Sequence, residues 1–396
     1  MTRRLYYDDS YLRTFHAQIV SVEGRRVFLD SSAFYPASGG QPFDTGTING
    51  VRVIEVANLE DGRIAHTVDA ELTPDPASLT PGPAECAIDW TRRFDHMQQH
   101  TGQHILSAVF VERFGIATRS VHIGGDVSTV DLAAPSLTAA QIAAAERAAN
   151  EVLYEARPII VSYHAPDEDL GLRKASERTG TLRIVTIDGL DRSACGGTHV
   201  RNTAEVGVIL IRKIDKVRGN LRLEFVCGKR AAERARRDFD TLSTTARVFS
   251  APLDDVATLA EAQSQRLATA EKELRRLASE AAQCEGRERF LQNEPNARGW
   301  RIEFHRTAGA MADESRLRAT AFTDAGPAIW IELFLTPPSV LMAASPATQL
   351  HAGNLLKPLL AAVGGRGGGS AALAQGSLPS PEALDTIEAE LRKLVS

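Results

Sequence analysis

The most constraining feature of this 396-residue chain is a pair of pairs. His100 and His104 stand four residues apart in the run Phe94-Asp95-His96-Met97-Gln98-Gln99-His100-Thr101-Gly102-Gln103-His104-Ile105-Leu106-Ser107. On a helix, that spacing puts both imidazoles on one face, one turn apart. Two His ligands complete only half of a tetrahedral zinc site. Cys195-Gly196-Gly197-Thr198-His199 offers a thiol and an imidazole as the other half. Roughly 90 residues separate the two pairs. A small zinc finger has no room for such an insert, so the spacing asks for a globular domain closed around the metal.

A His pair alone is more often packed than ligating, and the Cys195–His199 pair changes that balance. The four cysteines (Cys86, Cys195, Cys227 and Cys284) are too few and too scattered for a disulfide scaffold, and the start Met1-Thr2-Arg3-Arg4-Leu5-Tyr6-Tyr7 has no apolar core of a signal peptide, so the expected setting is cytoplasmic and reducing. There, a Cys in a glycine-rich loop with a His four residues on is a metal signature. Thr101 stands where a zincin protease needs its Glu, and neither the His-x-Glu nor the Cys-x-x-Cys of zinc deaminases occurs. Four protein ligands describe a closed, structural zinc, whereas a catalytic zinc keeps one position for water. The sequence is compatible with a metal that chiefly shapes a pocket and with one weak ligand that exchanges for substrate or water.

The chain around these pairs reads as an α+β protein in four parts. Residues 1–88 form a small β-barrel-like domain, with strands at His16–Val22, Arg26–Asp30, Val51–Val56 and Arg63–Val68 and a Pro-rich linker at Thr73–Pro83. Within it, Phe34-Tyr35-Pro36-Ala37-Ser38-Gly39-Gly40-Gln41 reads as a tight turn. Residues 89–237 form the zinc-containing α/β domain. Its histidine helix runs from Arg92 to Phe114, followed by a hairpin turning at Gly124-Gly125-Asp126. A helix capped by Ser136 or Thr138 runs to about Ala156, and strands lie at Pro158–Ser162, Leu182–Ile187, Val206–Arg212 and Arg222–Val226. Residues 238–292 are a helical coiled-coil arm whose stripe Leu259, Leu267, Leu274, Leu277 and Ala281 suits an internal hairpin or a dimer seam equally. Residues 293–396 form a glycine-rich α/β domain with a buried strand at Ala328–Leu335. Its Val363–Ser370 segment reads as a flexible loop or a backbone nest, and it lacks the Lys-Ser/Thr ending of a P-loop.

Net charge is −5, so the chain as a whole is no general nucleic-acid binder, yet Asp191–Asp240 holds twelve Lys/Arg against seven Asp/Glu. Such a patch is usually a solvated face, and it is also able to meet phosphates. No apolar run approaches the roughly 20 residues that span a bilayer.

Taken together, the His-x-x-x-His and Cys-x-x-x-His pairs, the Phe34–Gln41 loop and Cys195-Gly196-Gly197-Thr198-His199 resemble the editing region of alanyl-tRNA synthetases, and most closely their freestanding relatives, the AlaX proteins. The helical arm and the glycine-rich segment through Ala374-Gln375-Gly376 resemble the C-terminal region kept in the long AlaX form. The resemblance covers nearly the whole chain. It implies hydrolysis of the ester joining a wrong amino acid, serine foremost and glycine second, to tRNA(Ala). About ninety residues precede the editing region, too few for a class II aminoacylation core, so it implies deacylation without charging. His100, His104, Cys195 and His199 match the family's zinc ligands. Gly39, Gly40 and Gln41 match its glycine-rich loop, with Ser38 where many relatives carry a further glycine. His122, Ser128, Thr129 and Asp131 fall on the hairpin that lines the family's pocket. Thr129 is the expected partner of a seryl hydroxyl, because a site that pairs this hydroxyl is left unsatisfied by alanine. Gly196, Gly197 and Thr198 belong to the loop that would organise the acyl end. Arg218 and Arg222, with Arg212, Lys213 and Lys216, would face acceptor-stem phosphates. The implied partner is the mischarged acceptor end, with no membrane, and with a homodimer through the arm or the C-terminal domain. The competing expectations are a zinc-stabilised tRNA-binding protein without catalysis and an editing enzyme for another ester such as Ser-tRNA(Thr).

Overall fold

Alternation of apolar and polar residues builds the first layer of the protein. In the computed structural model, which describes residues 1–69, 79–165, 170–174 and 180–395, the chain divides into two units, Met1–Thr245 and Ala246–Ser396. The first opens with β1 (Arg3–Arg4), β2 (Thr14–Glu23), β3 (Arg26–Leu29), β4 (Ser31–Ser32), β5 (Gly46–Ile48), β6 (Val51–Asn58), β7 (Ile64–Val68) and β8 (Gly82–Ile88). Along β2, Phe15, Ala17 and Ile19 turn inward, and the neighbours between them face out. Six strands close into a barrel in the order β2-β3-β7-β6-β5-β8, which removes every sheet edge. The barrel is filled by residues such as Val27, Phe34, Ile48 and Ile64. Most of the expected Thr73–Pro83 linker lies outside the described residues. Its end is a correction, since Gly82 and Pro83 open β8, where Pro83 pairs with Gln18.

The histidine helix is α1 (Trp90–Phe114). Asp89 caps its N-terminus by accepting from Arg92 N–H, and Gly115 ends it in the left-handed region at φ 67°. Then come β9 (Thr118–Ile123), β10 (Ser128–Leu132), α2 (Ala139–Tyr154), β11 (Ile159–His164), β12 (Leu182–Ile187), β13 (Asp191–Ala194), β14 (Ile209–Val217), β15 (Asn220–Cys227) and α3 (Gly228–Phe249). Thr138, rather than Ser136, caps α2, in a reciprocal capping box with Gln141. The expected strand at Val206–Arg212 starts late. Asn202 caps a 3-10 turn at Thr203–Val206, Gly207 sits at φ 78°, and extended pairing begins at Ile209. Two antiparallel sheets result, β14-β15-β10-β9 and β11-β12-β13. The apolar faces of α1 and α2 meet the first sheet through Leu106, Val109, Phe110, Ala149, Val130, Leu223 and Phe225.

In the second unit, α4 (Val256–Gln292) is a single 37-residue helix, with Leu267, Leu274 and Leu277 exposed. It is followed by β16 (Arg301–Thr307), α5 (Asp313–Asp324), β17 (Ala328–Leu335), β18 (Pro338–Ala344), α6 (Ala352–Ala362), β19 (Arg366–Gly369), β20 (Leu373–Ser377) and α7 (Pro381–Val395). The sheet runs β16-β17-β18-β20-β19, and only β16 and β17 are parallel. The β17 strand is buried on both faces, as expected of a continuous apolar run: Ile329, Ile331 and Leu333 meet α6 and α7, and Ala328, Trp330 and Phe334 meet α5. The glycine-rich segment corrects the expected loop or nest, because Arg366–Gly369 is a paired edge strand. A Cβ at Gly367 would lie 2.3 Å from Gln375 O, so the tight strand and helix packing here excludes side chains. No helix among the described residues is long and apolar enough to cross a membrane.

Candidate metal centre

Helix α1 delivers His100 and His104 from one face, and the loop after β13 brings Cys195 and His199 to meet them. One donor atom from each lies within 4.8 Å of all the others. Cys195 Sγ is 3.5 Å from His100 Nε2 and 3.4 Å from His199 Nε2. Tetrahedral zinc with its usual Zn–S and Zn–N bonds places such atoms about 3.6 Å apart, so the donor set fits that ion.

The outer nitrogens of the three rings are all held. His100 Nδ1 is 2.7 Å from Gln41 Oε1, His104 Nδ1 is 2.8 Å from Asp191 Oδ2, and His199 Nδ1 is 3.1 Å from Thr101 Oγ1. An amide oxygen and a carboxylate only accept, so His100 and His104 carry their protons on Nδ1 and turn the Nε2 lone pair inward. Burial favours the neutral thiol of Cys195, but the His100 and His199 imidazoles outweigh it and hold the thiol well below its ordinary range. That favours the thiolate, the form that ligates metals. Burial pushes His199 down to about 3, which keeps the ring neutral. For His104, burial is overcome by Asp191 and Cys195, and its pKa is raised, which makes Nε2 a strong donor to any cation that takes the place of the proton. Burial likewise opposes ionisation of Asp191, yet His104 and Arg173 bring it down to about 2.

Sequence reasoning missed the supports of this cluster. Asp191 accepts from His104, from Arg173 Nε at 2.6 Å and from Ser193 Oγ at 3.0 Å. Arg183, buried in β12, donates to Cys195 O at 2.7 Å and Gly197 O at 3.0 Å, which clamps the ligand loop. Arg183 looks like any polar residue in a strand, so no sequence signal marked it. Asp191, four residues before Cys195, had a spacing that deserved notice.

The glycine-rich turn reaches the centre from the barrel. Ser38 and Gln41 exchange backbone hydrogen bonds of 3.1 and 2.9 Å around Gly39 and Gly40, which sit at φ 58° and 84°. Gly40 O accepts from Ile123 N–H at 2.8 Å, and a Cβ on Gly40 would fall 2.6 Å from Val121 O. This pins the turn against β9. Gln41 Oε1 accepts from His100 and from Thr198 N–H at 3.1 Å, and its Nε2 donates to Thr198 Oγ1 at 2.8 Å. Gln41 and Thr198 are both buried. A Cβ on Gly197 would lie 2.1 Å from the His100 ring, so only glycine fits there. The Gly197 N–H donates to Cys195 Sγ at 3.4 Å.

The cluster forms one side of a cleft of about 510 Å³. Tyr35, Ser38 and Gly39 line it from the barrel, Gly196 and Gly197 from the ligand loop, and Thr118, Arg119, Ser120 and Val121 from β9, with Arg173 and Lys174 also lining it. Of the expected hairpin residues, His122 is on β9 itself but not among the lining residues, and Ser128, Thr129 and Asp131 stand one strand further back on β10. Thr129 pairs with His122, and Asp131 accepts from Ser120 Oγ at 2.6 Å and from Arg222 Nε at 2.7 Å. Ser128 is buried, and its Oγ has no hydrogen-bond partner among the described residues. Arg218 lies at the β14–β15 turn with φ 49°, away from the cleft lining.

Residues 182–223 match the threonyl and alanyl tRNA synthetase second additional domain, and residues 338–396 match the DHHA1 domain. The chain is 34% identical over 245 residues to the alanyl-tRNA editing protein Aarsd1 of Bos taurus, covering 56% of this chain and 54% of that protein. It therefore spans about half the length of that relative. To the alanine–tRNA ligase of Pyrococcus abyssi it is 29% identical over 416 residues, which takes in 98% of this chain and 43% of the ligase. The alanyl-tRNA editing protein AlaX-M of Methanosarcina acetivorans is 36% identical over 243 residues, 57% of this chain and 98% of that protein. Nearly the whole of that relative is thus matched at more than a third identity, and this chain belongs to the alanyl-tRNA editing protein family.

Proposed function

We propose that this protein is a cytoplasmic trans-editing hydrolase that deacylates mischarged tRNA(Ala), Ser-tRNA(Ala) foremost and Gly-tRNA(Ala) second. The observation that carries this reading is the three-His, one-Cys cluster set in the side of an open cleft, with every outer imidazole nitrogen held. A purely structural clamp has no need of a cleft beside its ligands. We take the metal to be zinc, held by His100, His104, Cys195 and His199. When bound, zinc supplies a Lewis acid next to the acyl group.

The chain's own residues do the rest. Gln41 is a positioning residue that orients His100 and ties it to Thr198. The Gly196 N–H meets the acyl oxygen, and Gly197 allows the loop to approach His100 closely. Gly39 and Gly40 shape the cleft wall. The hydroxyls of Thr118 and Ser120 meet the seryl side chain, while Thr129, Ser128 and Asp131 of β10 set the position of β9 from behind, and His122 on β9 pairs with Thr129. A water attacks the ester carbonyl, and the terminal ribose hydroxyl of the tRNA assists it, since among the described residues no carboxylate lines the cleft as a base. Arg218 and Arg222 contribute positive charge toward the acceptor stem. We also propose the four-part division 1–88, 89–237, 238–292 and 293–396, with α4 as a coiled-coil arm through which, or through the C-terminal domain, two copies associate.

The test is deacylation of seryl-, glycyl- and alanyl-tRNA(Ala) beside a His104→Ala variant. Fast loss of serine, slow loss of alanine, and a drop of about 100-fold or more in the variant are expected. If all three esters survive while tRNA and zinc still bind, the chain is a binding protein. If only Ser-tRNA(Thr) is cleaved, the target is a different tRNA.

A further inference from the structure

A second charged feature lies outside the cleft. From Ile209 to Asp240 the sequence holds ten Lys/Arg against five Asp/Glu. The fold gathers part of this excess. Helix α3 turns back directly after β15, and Arg230, Arg234 and Arg237 follow one another at four- and three-residue steps, on one helix face. Together with Arg212 and Lys213 of β14, they line a groove of about 450 Å³, whose other walls are Asp126 and Val127 of the β9–β10 turn and Glu224 and Val226 of β15, so five cations face two carboxylates in the lining.

A solvated helix face gives each cation its own carboxylate, and α3 does this away from the groove, where Lys229 pairs with Glu233 and Arg236 with Asp240. The groove departs from that pattern. Lys213 has a carboxylate of its own in Asp215, but Arg212 and Arg234 share the single carboxylate of Asp238. Arg237 has no carboxylate partner among the described residues and is exposed. Arg230 is held rigid, donating to Asp95 and, at 2.7 Å, to Gly124 O. Arg212, Arg234 and Arg237 thus have one ion-paired carboxylate between them, and guanidinium groups so placed are suited to charge-assisted bonds with phosphate oxygens. Arg230 to Arg237 spans seven residues, about 10 Å of helix, which is more than one phosphate occupies. The turn at the groove belongs to the same hairpin whose β9 strand walls the cleft.

We propose that this groove is a binding track for the phosphodiester backbone of RNA, carried by Arg212, Lys213, Arg230, Arg234 and Arg237. It deepens the editing reading, by giving the acceptor stem a second point of attachment, and rests on that reading for the identity of the RNA. Asp238 acts as an internal competitor that the backbone phosphates displace from Arg212 and Arg234.

The experiment is binding of a labelled, uncharged tRNA(Ala) acceptor-stem hairpin by fluorescence anisotropy across a salt series, with the full chain. R234Q/R237Q should weaken binding about tenfold and lower the log–log salt slope by about two. D238N, which frees two guanidinium groups, should tighten binding two- to threefold. The opposite sign guards against misfolding as the cause. R52Q, on the barrel surface, should stay within about twofold of wild type. Unchanged affinity and slope in R234Q/R237Q, or weaker binding in D238N, would overturn the groove. Because the RNA is uncharged, its binding is independent of hydrolysis. Groove-dependent binding by a protein that cleaves no ester upholds the track and removes the editing reading. Hydrolysis in a protein whose binding ignores the groove does the reverse.

Discussion

Between Ser32 Oγ at 2.8 Å and Val27 O at 3.0 Å, the His66 ring is enclosed in the barrel with no exposure. Burial lowers its pKa to about 4. The unfolded ring titrates near 6.5, so between those values the unfolded chain takes up a proton that the folded chain refuses. Stability contributed at His66 is therefore intact above about pH 6.5 and is lost as pH falls towards 4, by roughly 3 kcal/mol in all. Urea unfolding from pH 7 to 4 should show this slope, and His66→Gln should flatten it by a corresponding amount. Equal slopes in the two proteins would refute the assignment. At this scale the sequence was legible where geometry is local and illegible where it is not. The i, i+4 spacing exposed His100 and His104 directly. Thr129 lies on β10, paired with His122 of β9, and a linear pattern shows which residues share a face but not which strand of a sheet stands at the edge of a cleft. Arg183 acts on the ligand loop through backbone carbonyls, which leave no trace in side-chain pattern.

At the level of elements, α1 is fixed to the barrel by a buried ion pair. Arg93 and Asp44 are both fully enclosed, and Arg93 also donates to Ser10 O at 2.8 Å and to Ala33 O. Asp44 accepts from Tyr35 N–H at 2.6 Å as well, so one carboxylate holds both the start of the glycine-rich loop and the histidine helix. Asp44→Ala should cost about 3–5 kcal/mol, because it strands a guanidinium without a partner in the interior. A change in the midpoint of chemical denaturation worth less than about 1 kcal/mol would show that water compensates the charge. Elements with strong periodicity, such as β2, α1 and β17, were readable from sequence, as was the Thr138 cap among its two candidates. The Arg366–Gly369 strand was not. Its glycines carry no hydropathy signal, and only the proximity of Gln375 and Leu360 explains why they are needed.

For the molecule as a whole, all four candidate ligands lie in the Met1–Thr245 unit. If zinc is held there, a strong chelator should lower the calorimetric transition of that unit and leave that of Ala246–Ser396 in place. A ligand present at 100 times its dissociation constant contributes about 2.7 kcal/mol, which is about 5–10 °C for a unit of this size. Two transitions that fall together, or neither, would contradict the assignment. One feature of the barrel turn bears on how such chains are compared. None of the four ligands comes from the first eighty-nine residues, yet Gln41 in that stretch sets the angle of the His100 ring. A shortened homologue that began at the histidine helix would preserve every ligand letter in an alignment and still lose the hand that aims one of them. Ligand inventories across genomes would count such a chain as complete, and a census of the Gln41 turn would not.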